Sequence, residues 1–223
     1  MTTLIPTDSA QIYPDSDGQP MADHTKQFRW IVTIKENLEI LFTDNPQVFI
    51  AGDLLWYPVQ GRSDICVAPD IMVVFERPKG DRGSYKQWEE DNITPQVVFE
   101  ILSPGNTVIE ISRKLLFYEH YGVSEYYLYD PDQVSLGGFM RNDQDALVEI
   151  PNLEGWISPR LNIRFEIENT DLVIYRPDGE KFLTPVELYD RAEQERERAE
   201  SAEAKTQRLA ARLRELGVDP DAV

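Results

Sequence analysis

The sequence predicts an α/β fold in which helices flank a mixed β-sheet core, followed by a helical C-terminal tail. The main observation is a strand–helix–strand run: a mainly apolar strand pattern spans 96–102, a helical pattern spans 107–121, and a second strand follows at 125–129. Two strands joined in this way run parallel, so the sheet is at least partly parallel. The second observation is a stretch without glycine or proline at 187–216, which predicts a separate helix.

The composition limits the classes of protein that the chain can represent. It has 223 residues, of which 41% are hydrophobic and 10% aromatic, enough to form a core. The formal net charge of −18 excludes a protein that holds nucleic acid by bulk positive charge, although not one with a local basic patch. Cys66 is the single cysteine, which excludes an intramolecular disulfide and a cysteine-based zinc site.

Residues 1–22 are expected to form a disordered lead-in, because polar residues and proline dominate and few apolar side chains are available to bury. This segment lacks the basic and apolar regions of a signal peptide. No apolar stretch approaches the roughly 20 residues that span a bilayer. We therefore expect a cytoplasmic protein that makes no membrane contact.

The first half of the body predicts one helix and a meander of strands. Apolar residues recur every three or four positions over 25–42, which predicts a helix. Short β-rich runs follow at 48–51, 54–57 and 71–75, and Gly52-Asp53 between the first two predicts a hairpin turn. The polar segment 76–95 predicts a long loop, and loops of that length are often functional.

The C-terminal part predicts further short strands over 134–176 and then the tail. We expect a body at 23–186 and a helical, coiled-coil tail at 187–223. Apolar and small residues of the tail step by four and three, which is a heptad pattern. Its seam positions are Leu188, Ala192, Glu195, Ala199, Ala202, Thr206, Leu209, Leu213 and Leu216. Such a tail can pair with a second copy in a homodimer, or bind another protein.

Two acids are the leading candidates for chemistry. Glu100 lies inside an apolar strand, where a carboxylate is costly unless it is paired, protonated or bound to a metal. Asp70 precedes the strand at 71–75 and can converge with Glu100 on a hard divalent ion such as Mg²⁺ or Mn²⁺. The alternatives are that Asp70 only serves a turn and that Glu100 pairs with an arginine or with backbone donors.

Other charged residues are candidates with open alternatives. Lys114 could stabilise charge at the end of the Glu100 strand, or form a surface ion pair with Glu110 four residues earlier. Asp53 is a candidate additional acid, or a turn residue. The loop cations Arg77, Lys79, Arg82 and Lys86 form a basic cluster suited to DNA phosphates, although neighbouring acids could compensate them instead.

Several segments together resemble a known family. They are Pro69-Asp70, the run EILSPGN at 100–106, Lys114 with Phe117-Tyr118, and the run GVSEYY at 122–127. They resemble the Uma-type restriction endonuclease family, which is part of the PD-(D/E)XK nuclease superfamily. The resemblance covers roughly 26–180 and excludes the tail.

The resemblance implies a restriction-endonuclease-like mixed sheet flanked by helices. It implies that Asp70 and Glu100 are the two metal-binding acids of the superfamily motif. The motif lysine should stand two residues after the second acid, where this chain has Leu102. The family's lysine on the following helix matches Lys114, so the third catalytic role is transferred to that residue.

Two functions follow as hypotheses. The first is a Mg²⁺-dependent endonuclease that hydrolyses DNA phosphodiester bonds, with Asp70 and Glu100 on the metal and Lys114 assisting. The second is a catalytically weak or inactive nuclease-like module that recruits partners through its coiled-coil tail. Leu102 and the net charge of −18 are the observations behind the second hypothesis.

Overall fold

The computed structural model describes residues 12–16, 18, 24–168, 171–216 and 219. The chain divides into two compact units, 1–182 and 183–223. The first unit contains helices α1 (Thr25–Leu41) and α2 (Val108–His120). Its strands in chain order are β1 (Val48–Gly52), β2 (Trp56–Tyr57), β3 (Ile71–Phe75), β4 (Tyr85–Lys86), β5 (Val97–Ile101), β6 (Glu125–Asp130), β7 (Ser135–Arg141), β8 (Leu147–Glu149), β9 (Arg164–Glu168) and β10 (Asp171–Tyr175).

A six-stranded mixed sheet forms the centre of the first unit. Its strand order is β1-β3-β5-β6-β7-β8. β5 and β6 run parallel, and the other neighbouring pairs run antiparallel. The predicted strand–helix–strand unit with its parallel pair is therefore confirmed. The remaining strands form two small sheets, β9 with β10 antiparallel and β2 with β4 parallel.

The two faces of the sheet bury separate apolar clusters, because side chains alternate along each strand. One face carries Ile71, Val97 and Phe99 and packs against α1 through Ile31 and Ile34. The opposite face buries a second cluster against α2, whose members include Met72, Val74, Val98, Tyr118 and Tyr126. Even-numbered residues of β3 and β5 therefore face α2.

A capping box fixes the start of α2. The Thr107 side chain accepts a hydrogen bond from the Glu110 backbone N–H, and the Glu110 carboxylate accepts one from the Thr107 N–H. These contacts satisfy backbone donors that a helix end leaves unpaired. Because the first turn is fixed, Lys114 and Tyr118, four residues apart, lie on the same side of α2.

The predicted hairpin between β1 and β2 is wrong. β1 pairs with β3, and β2 pairs with β4. Asp53 has a positive φ of 49°, and its backbone N–H donates to the carbonyl oxygens of Pro69 and Asp70 at 3.1 and 3.2 Å. The chain is thereby bound to the segment that leads into β3 and does not turn back on β1.

The predicted long loop at 76–95 is also wrong. It contains β4 and a short 3-10 helix at Gln87–Glu89. Tyr85 is fully buried, and its hydroxyl donates to the Ile93 carbonyl at 2.7 Å. A buried aromatic residue thus anchors a segment whose polar composition indicates a loop.

Most of the predicted lead-in lies outside the described residues. Of the part that is described, Tyr13 contacts the rings of Tyr57 and Trp88, with centroids 5.2 and 4.9 Å away. The Tyr57 hydroxyl donates to the Pro14 carbonyl at 2.8 Å. These contacts attach 13–14 to the first unit, and disorder of the rest of 1–22 stays a prediction.

The second unit contains one helix, α3 (Pro185–Glu215), of 31 residues. Thr184 and Glu187 form its capping box, and Pro185 occupies the first turn, where a missing N–H costs nothing. Leu209 and Leu216 of the predicted seam are more than half exposed. Among the described helices, none is long and apolar enough to cross a membrane.

Candidate active site

The strand register brings the two predicted acids together. In the antiparallel pair of β3 and β5, Ile71 lies opposite Phe99. Extending this register by one residue places Asp70 opposite Glu100. Directly opposed residues share a face of a sheet, and here it is the face that packs against α2. Residues separated by thirty positions in sequence are therefore neighbours.

Asp70 is a buried acid whose partner lies on the next strand. Its Oδ2 atom accepts a hydrogen bond from the Ile101 backbone N–H at 2.7 Å. Burial, and then the charge of Glu100, raise the pKa of Asp70 to about 8, although Lys114 opposes this shift. The bond to β5 identifies Asp70 as more than a local turn residue.

Glu100 has a donor on each carboxylate oxygen. The Lys114 Nζ atom lies 2.7 Å from Glu100 Oε2, and the Tyr118 hydroxyl donates to Oε1. Lys114 thus pairs with the buried acid, and not with Glu110 as in the alternative interpretation. Burial lowers the pKa of Lys114, but the charges of Glu100 and Asp70 outweigh it and raise that pKa above the ordinary value.

Tyr118 and Tyr126 belong to the same cluster, and sequence reasoning gave neither a role. Burial, and then the charge of Glu100, raise the pKa of both hydroxyls. The Tyr126 hydroxyl is buried without a hydrogen-bond partner within the described residues. The spacing of four between Lys114 and Tyr118 was the one available signal, because it places both on one side of a helix.

Asp53 lies at the edge of this site. Extending the register of β1 and β3 by one residue places it opposite Asp70. Its charge adds to the increase in the pKa of both Asp70 and Lys114. The charge of Asp53 therefore acts on the cluster, while its backbone N–H binds the segment that leads into β3.

A buried glutamine was also missed. The Gln27 side chain on α1 donates from Nε2 to the Ile101 carbonyl at 2.9 Å. The N–H of the same Ile101 donates to Asp70, so this residue connects α1 with the acid pair through the backbone. Nothing in the local sequence of α1 indicates this contact, which depends on the packing of α1 against the end of β5.

The donor set fits a hard divalent cation with few protein ligands. Mg²⁺ is commonly bound by one or two carboxylates together with water and substrate phosphate oxygens. Asp70 and Glu100 supply two carboxylates, and the charge of Glu100 adds to the increase in the pKa of Asp70 that burial causes. In the described part of the chain, no group of three or more His, Cys, Asp or Glu residues could hold a metal.

The four loop cations are all engaged by acids. Their ion pairs, with N–O distances, are Arg77–Asp91 (2.7 Å), Lys79–Glu39 (2.6 Å), Arg82–Glu90 (2.6 Å) and Lys86–Glu89 (3.9 Å). The Arg82 guanidinium also lies 3.9 Å from the centre of the Phe49 ring. This arrangement favours the alternative in which neighbouring acids compensate the loop.

Comparison with known proteins identifies the family. Residues 9–168 match the Uma2 family, described as "Putative restriction endonuclease". Among solved structures, the chain is similar to "a putative nuclease belonging to DUF820 from Anabaena variabilis ATCC 29413", with 16% identity and a TM-score of 0.45. That similarity covers 61% of this chain and 72% of the other. No curated protein matches. Because the family match spans more than half of the chain, this protein belongs to the Uma2 family.

Proposed function

We propose that this protein is a metal-dependent endonuclease that hydrolyses DNA phosphodiester bonds. The observation that carries the proposal is the pair of buried acids. Asp70 precedes β3 by one residue, Glu100 lies on β5, and the extended register places them opposite each other with Lys114 in contact with Glu100. Membership of a family described as restriction endonucleases supports the same reaction class.

The two carboxylates are the groups that would hold Mg²⁺ or Mn²⁺. When bound, such a cation supplies charge stabilisation at the scissile phosphate and makes a water a stronger nucleophile. Asp70 must lose its proton to bind the metal ion, because a protonated carboxyl group is a poor ligand. Its pKa is raised to about 8 by burial and by Glu100, so a bound cation would favour loss of this proton.

Lys114 takes the place of the missing motif lysine in this proposal. Leu102 cannot carry charge, whereas the Lys114 ammonium already lies 2.7 Å from Glu100. A cation in that position stabilises negative charge that develops on a bound phosphate. Tyr118 holds the other oxygen of Glu100 and so limits rotation of the carboxylate.

We propose that the loop cations contact DNA phosphates only after they give up their present carboxylate partners. These cations are Arg77, Lys79, Arg82 and Lys86. Each would have to replace a protein carboxylate with a phosphate oxygen. The gain from such an exchange is small, because one ion pair is lost for each one formed. We therefore expect a modest contribution of this loop to DNA affinity.

A cleavage assay with matched variants tests the proposal. Wild-type protein should cut DNA with Mg²⁺ or Mn²⁺ and not with EDTA. Asp70→Asn should lower the rate at least about 100-fold, since it removes a metal-binding carboxylate. Glu149→Gln, an exposed acid on β8, is the control and should cut at the wild-type rate. Cleavage by Asp70→Asn at that rate would exclude this mechanism.

The second candidate is a nuclease-like interaction module without catalysis. Leu102 at the motif position and the compensated loop are the observations that favour it. Isothermal titration with MnCl₂ separates the two candidates. Heat of binding that disappears in Asp70→Asn supports the enzyme, whereas no binding at millimolar metal supports the module.

We propose further that α3 forms a coiled coil with a second copy of the chain. Its heptad seam and its 31 residues support this. Alanine and threonine in several seam positions predict a weak dimer. Light scattering of the full chain and of a variant that ends at residue 183 should give a dimer and a monomer, respectively. An unchanged dimer after truncation would assign dimerisation to another surface.

A further inference from the structure

A groove lies on the sheet beside the acid pair, on the face that carries Glu100. Its volume is about 260 Å³. The residues that line it are Leu102, Leu128, Asp130, Gln133, Ser135 and Gly137. None of these has a role in the proposed hydrolysis. Leu102, which lines the groove, is two positions after Glu100 in sequence.

The strand register places the floor of the groove in one row with the acids. Glu100 lies opposite Leu128 on β6, and Leu128 lies opposite Gly137 on β7. Neighbouring strands are about 4.8 Å apart, so Leu128 and Gly137 lie about 5 and 10 Å from the Glu100 backbone. A molecule with its reacting phosphate at the acids would therefore extend over these two residues.

Glycine keeps the floor open. A Cβ atom at Gly137 would meet nothing closer than 3.8 Å, so no neighbouring group requires a glycine there. The glycine does not have a positive φ either. A larger side chain at Gly137 would fit the strand and fill the groove. Substitutions at this position can therefore narrow the groove without straining the backbone.

The rim of the groove carries hydrogen-bonding groups. The Asp130 Oδ1 atom accepts from the backbone N–H groups of Asp132 and Gln133, both at 2.9 Å. Within the described residues, the side chains of Gln133 and Ser135 make no hydrogen bond with another group. An apolar floor with acceptors and donors at one edge is suited to a flat, partly polar molecule.

The charge at the rim of the groove indicates which part of a nucleic acid the groove binds. A carboxylate at Asp130 repels a phosphate but accepts hydrogen bonds from an amino group or ring N–H of an unpaired base, the N3–H of thymine included. Leucine side chains offer a surface on which the face of a base can pack. The occupant that fits is therefore a nucleobase and not the backbone.

The base must be unpaired to enter. In a duplex, a base is stacked and paired, and it reaches a protein pocket only after it leaves the helix. The four loop cations are neutralised by acids, so phosphate contacts from that loop contribute little to duplex affinity. Single-stranded DNA offers its bases without that cost.

We propose that the groove binds the base next to the scissile phosphate, and that the substrate is single-stranded or locally unpaired DNA. This inference rests on the proposed endonuclease function and specifies its substrate class. Leu102 has a role in it: the residue that replaces the motif lysine forms the apolar wall between the acids and the base.

Binding without metal tests the inference independently of catalysis. Fluorescence anisotropy in EDTA should show that the full-length protein binds labelled dT12 at least about tenfold more tightly than a 12-mer of abasic units, which has the same phosphates. It should also bind dT12 more tightly than the dT12·dA12 duplex. Equal affinity for dT12 and the abasic 12-mer would overturn the inference.

Groove variants give the second measurement. Gly137→Ala should weaken dT12 binding slightly and Gly137→Val about tenfold, in order of added volume, with no loss of affinity for the abasic 12-mer. Asp130→Asn keeps the oxygen that accepts the turn hydrogen bonds and should change the preference among dT12, dC12 and dA12. Unchanged dT12 affinity in a folded Gly137→Val variant would also overturn the inference.

The outcomes separate this inference from the proposed function. If base-dependent binding is found but Mg²⁺ supports no cleavage, the groove stands and the endonuclease proposal fails. If the protein cuts duplex DNA and Gly137→Val cuts it equally well, the endonuclease stands and the groove proposal fails. If the protein shows neither base-dependent binding nor cleavage, both proposals are contradicted.

Discussion

Glu100 and Glu125 are two buried glutamates on neighbouring parallel strands, and their surroundings differ in kind. Both residues are at most 4% exposed. Glu125 accepts hydrogen bonds from the Tyr127 hydroxyl at 2.9 Å, from the Ser158 hydroxyl and from the Arg160 backbone N–H at 2.7 Å. Glu100 is bound by a lysine and a tyrosine and faces a second acid.

The difference separates a structural carboxylate from a candidate catalytic one. Burial raises the pKa of Glu125, while hydrogen bonds from Ser158 and Tyr127 lower it and so favour the charged form. These donors are neutral and connect β6 to the segment around residue 158. Glu100 instead pairs with a charged lysine, and the like charge of Glu100 and Asp70 adds to the rise in the pKa of Asp70. Burial of an acid alone therefore does not identify a site, whereas its partners do.

The sharpest test of this comparison is the same substitution at both positions. Glu100→Gln should lower cleavage at least about 100-fold. Its loss of stability should be smaller than that of Glu125→Gln, because the lost Lys114 ion pair is partly offset by removal of the repulsion with Asp70. Glu125→Gln should lower the free energy of unfolding by about 2–4 kcal/mol, because an amide NH₂ would face one of three donors. Urea unfolding and the cleavage assay measure both effects. A larger stability loss for Glu100→Gln would reverse the assignment.

Removal of the lysine should have the next largest effect on stability. Lys114→Ala leaves Glu100 and Asp70 without their common cation and should destabilise the protein by about 2 kcal/mol, a value reduced because the lysine is one-third exposed. Arg113→Ala, on the exposed side of the same helix, should change stability by less than about 0.5 kcal/mol. Thermal unfolding of both variants checks this. Equal effects would mean that the ion pair contributes little.

The last expected effect is a dependence of stability on pH. The folded state raises the pKa of Asp70 from 3.8 to about 8, so it holds this proton more tightly than the unfolded chain does. The contribution of Asp70 to stability is therefore full below about pH 4 and is lost as pH rises to about 8. Asp70→Asn, which can still accept the Ile101 hydrogen bond, should remove this dependence.

Calorimetry at pH 6 and pH 8.5 without metal checks the prediction. The melting temperature of the wild type should fall by several degrees more than that of Asp70→Asn, since about 1 kcal/mol corresponds to roughly 2–4 °C in a protein of this size. Added Mg²⁺ should restore part of the loss at pH 8.5. Parallel changes in both proteins would show that Asp70 does not titrate in this range.

Local patterns predicted the elements that depend on local interactions. The helix at 25–42 is observed at Thr25–Leu41, and the strand at 71–75 is observed at Ile71–Phe75. The apolar run around Glu100 correctly predicts a strand buried on both faces. The predictions of the hairpin and of the loop at 76–95 failed for a different reason. Asp53 bonds to Pro69 and Asp70, and Tyr85 pairs with Trp56 of β2, and local patterns do not report such distant partners.

The sequence by itself determined the strand–helix–strand unit, the buried acid at Glu100 and the absence of a lysine at position 102. Only the tertiary structure decided that Asp70 lies opposite Glu100 and that Lys114 pairs with Glu100. The same holds for Tyr118 and Tyr126, which complete the cluster. The tertiary structure also decided that the loop cations are neutralised by acids. The physical reason is that hydrophobic periodicity reports how each segment is buried, whereas charges interact through space with whichever residues the strand register brings within a few ångströms.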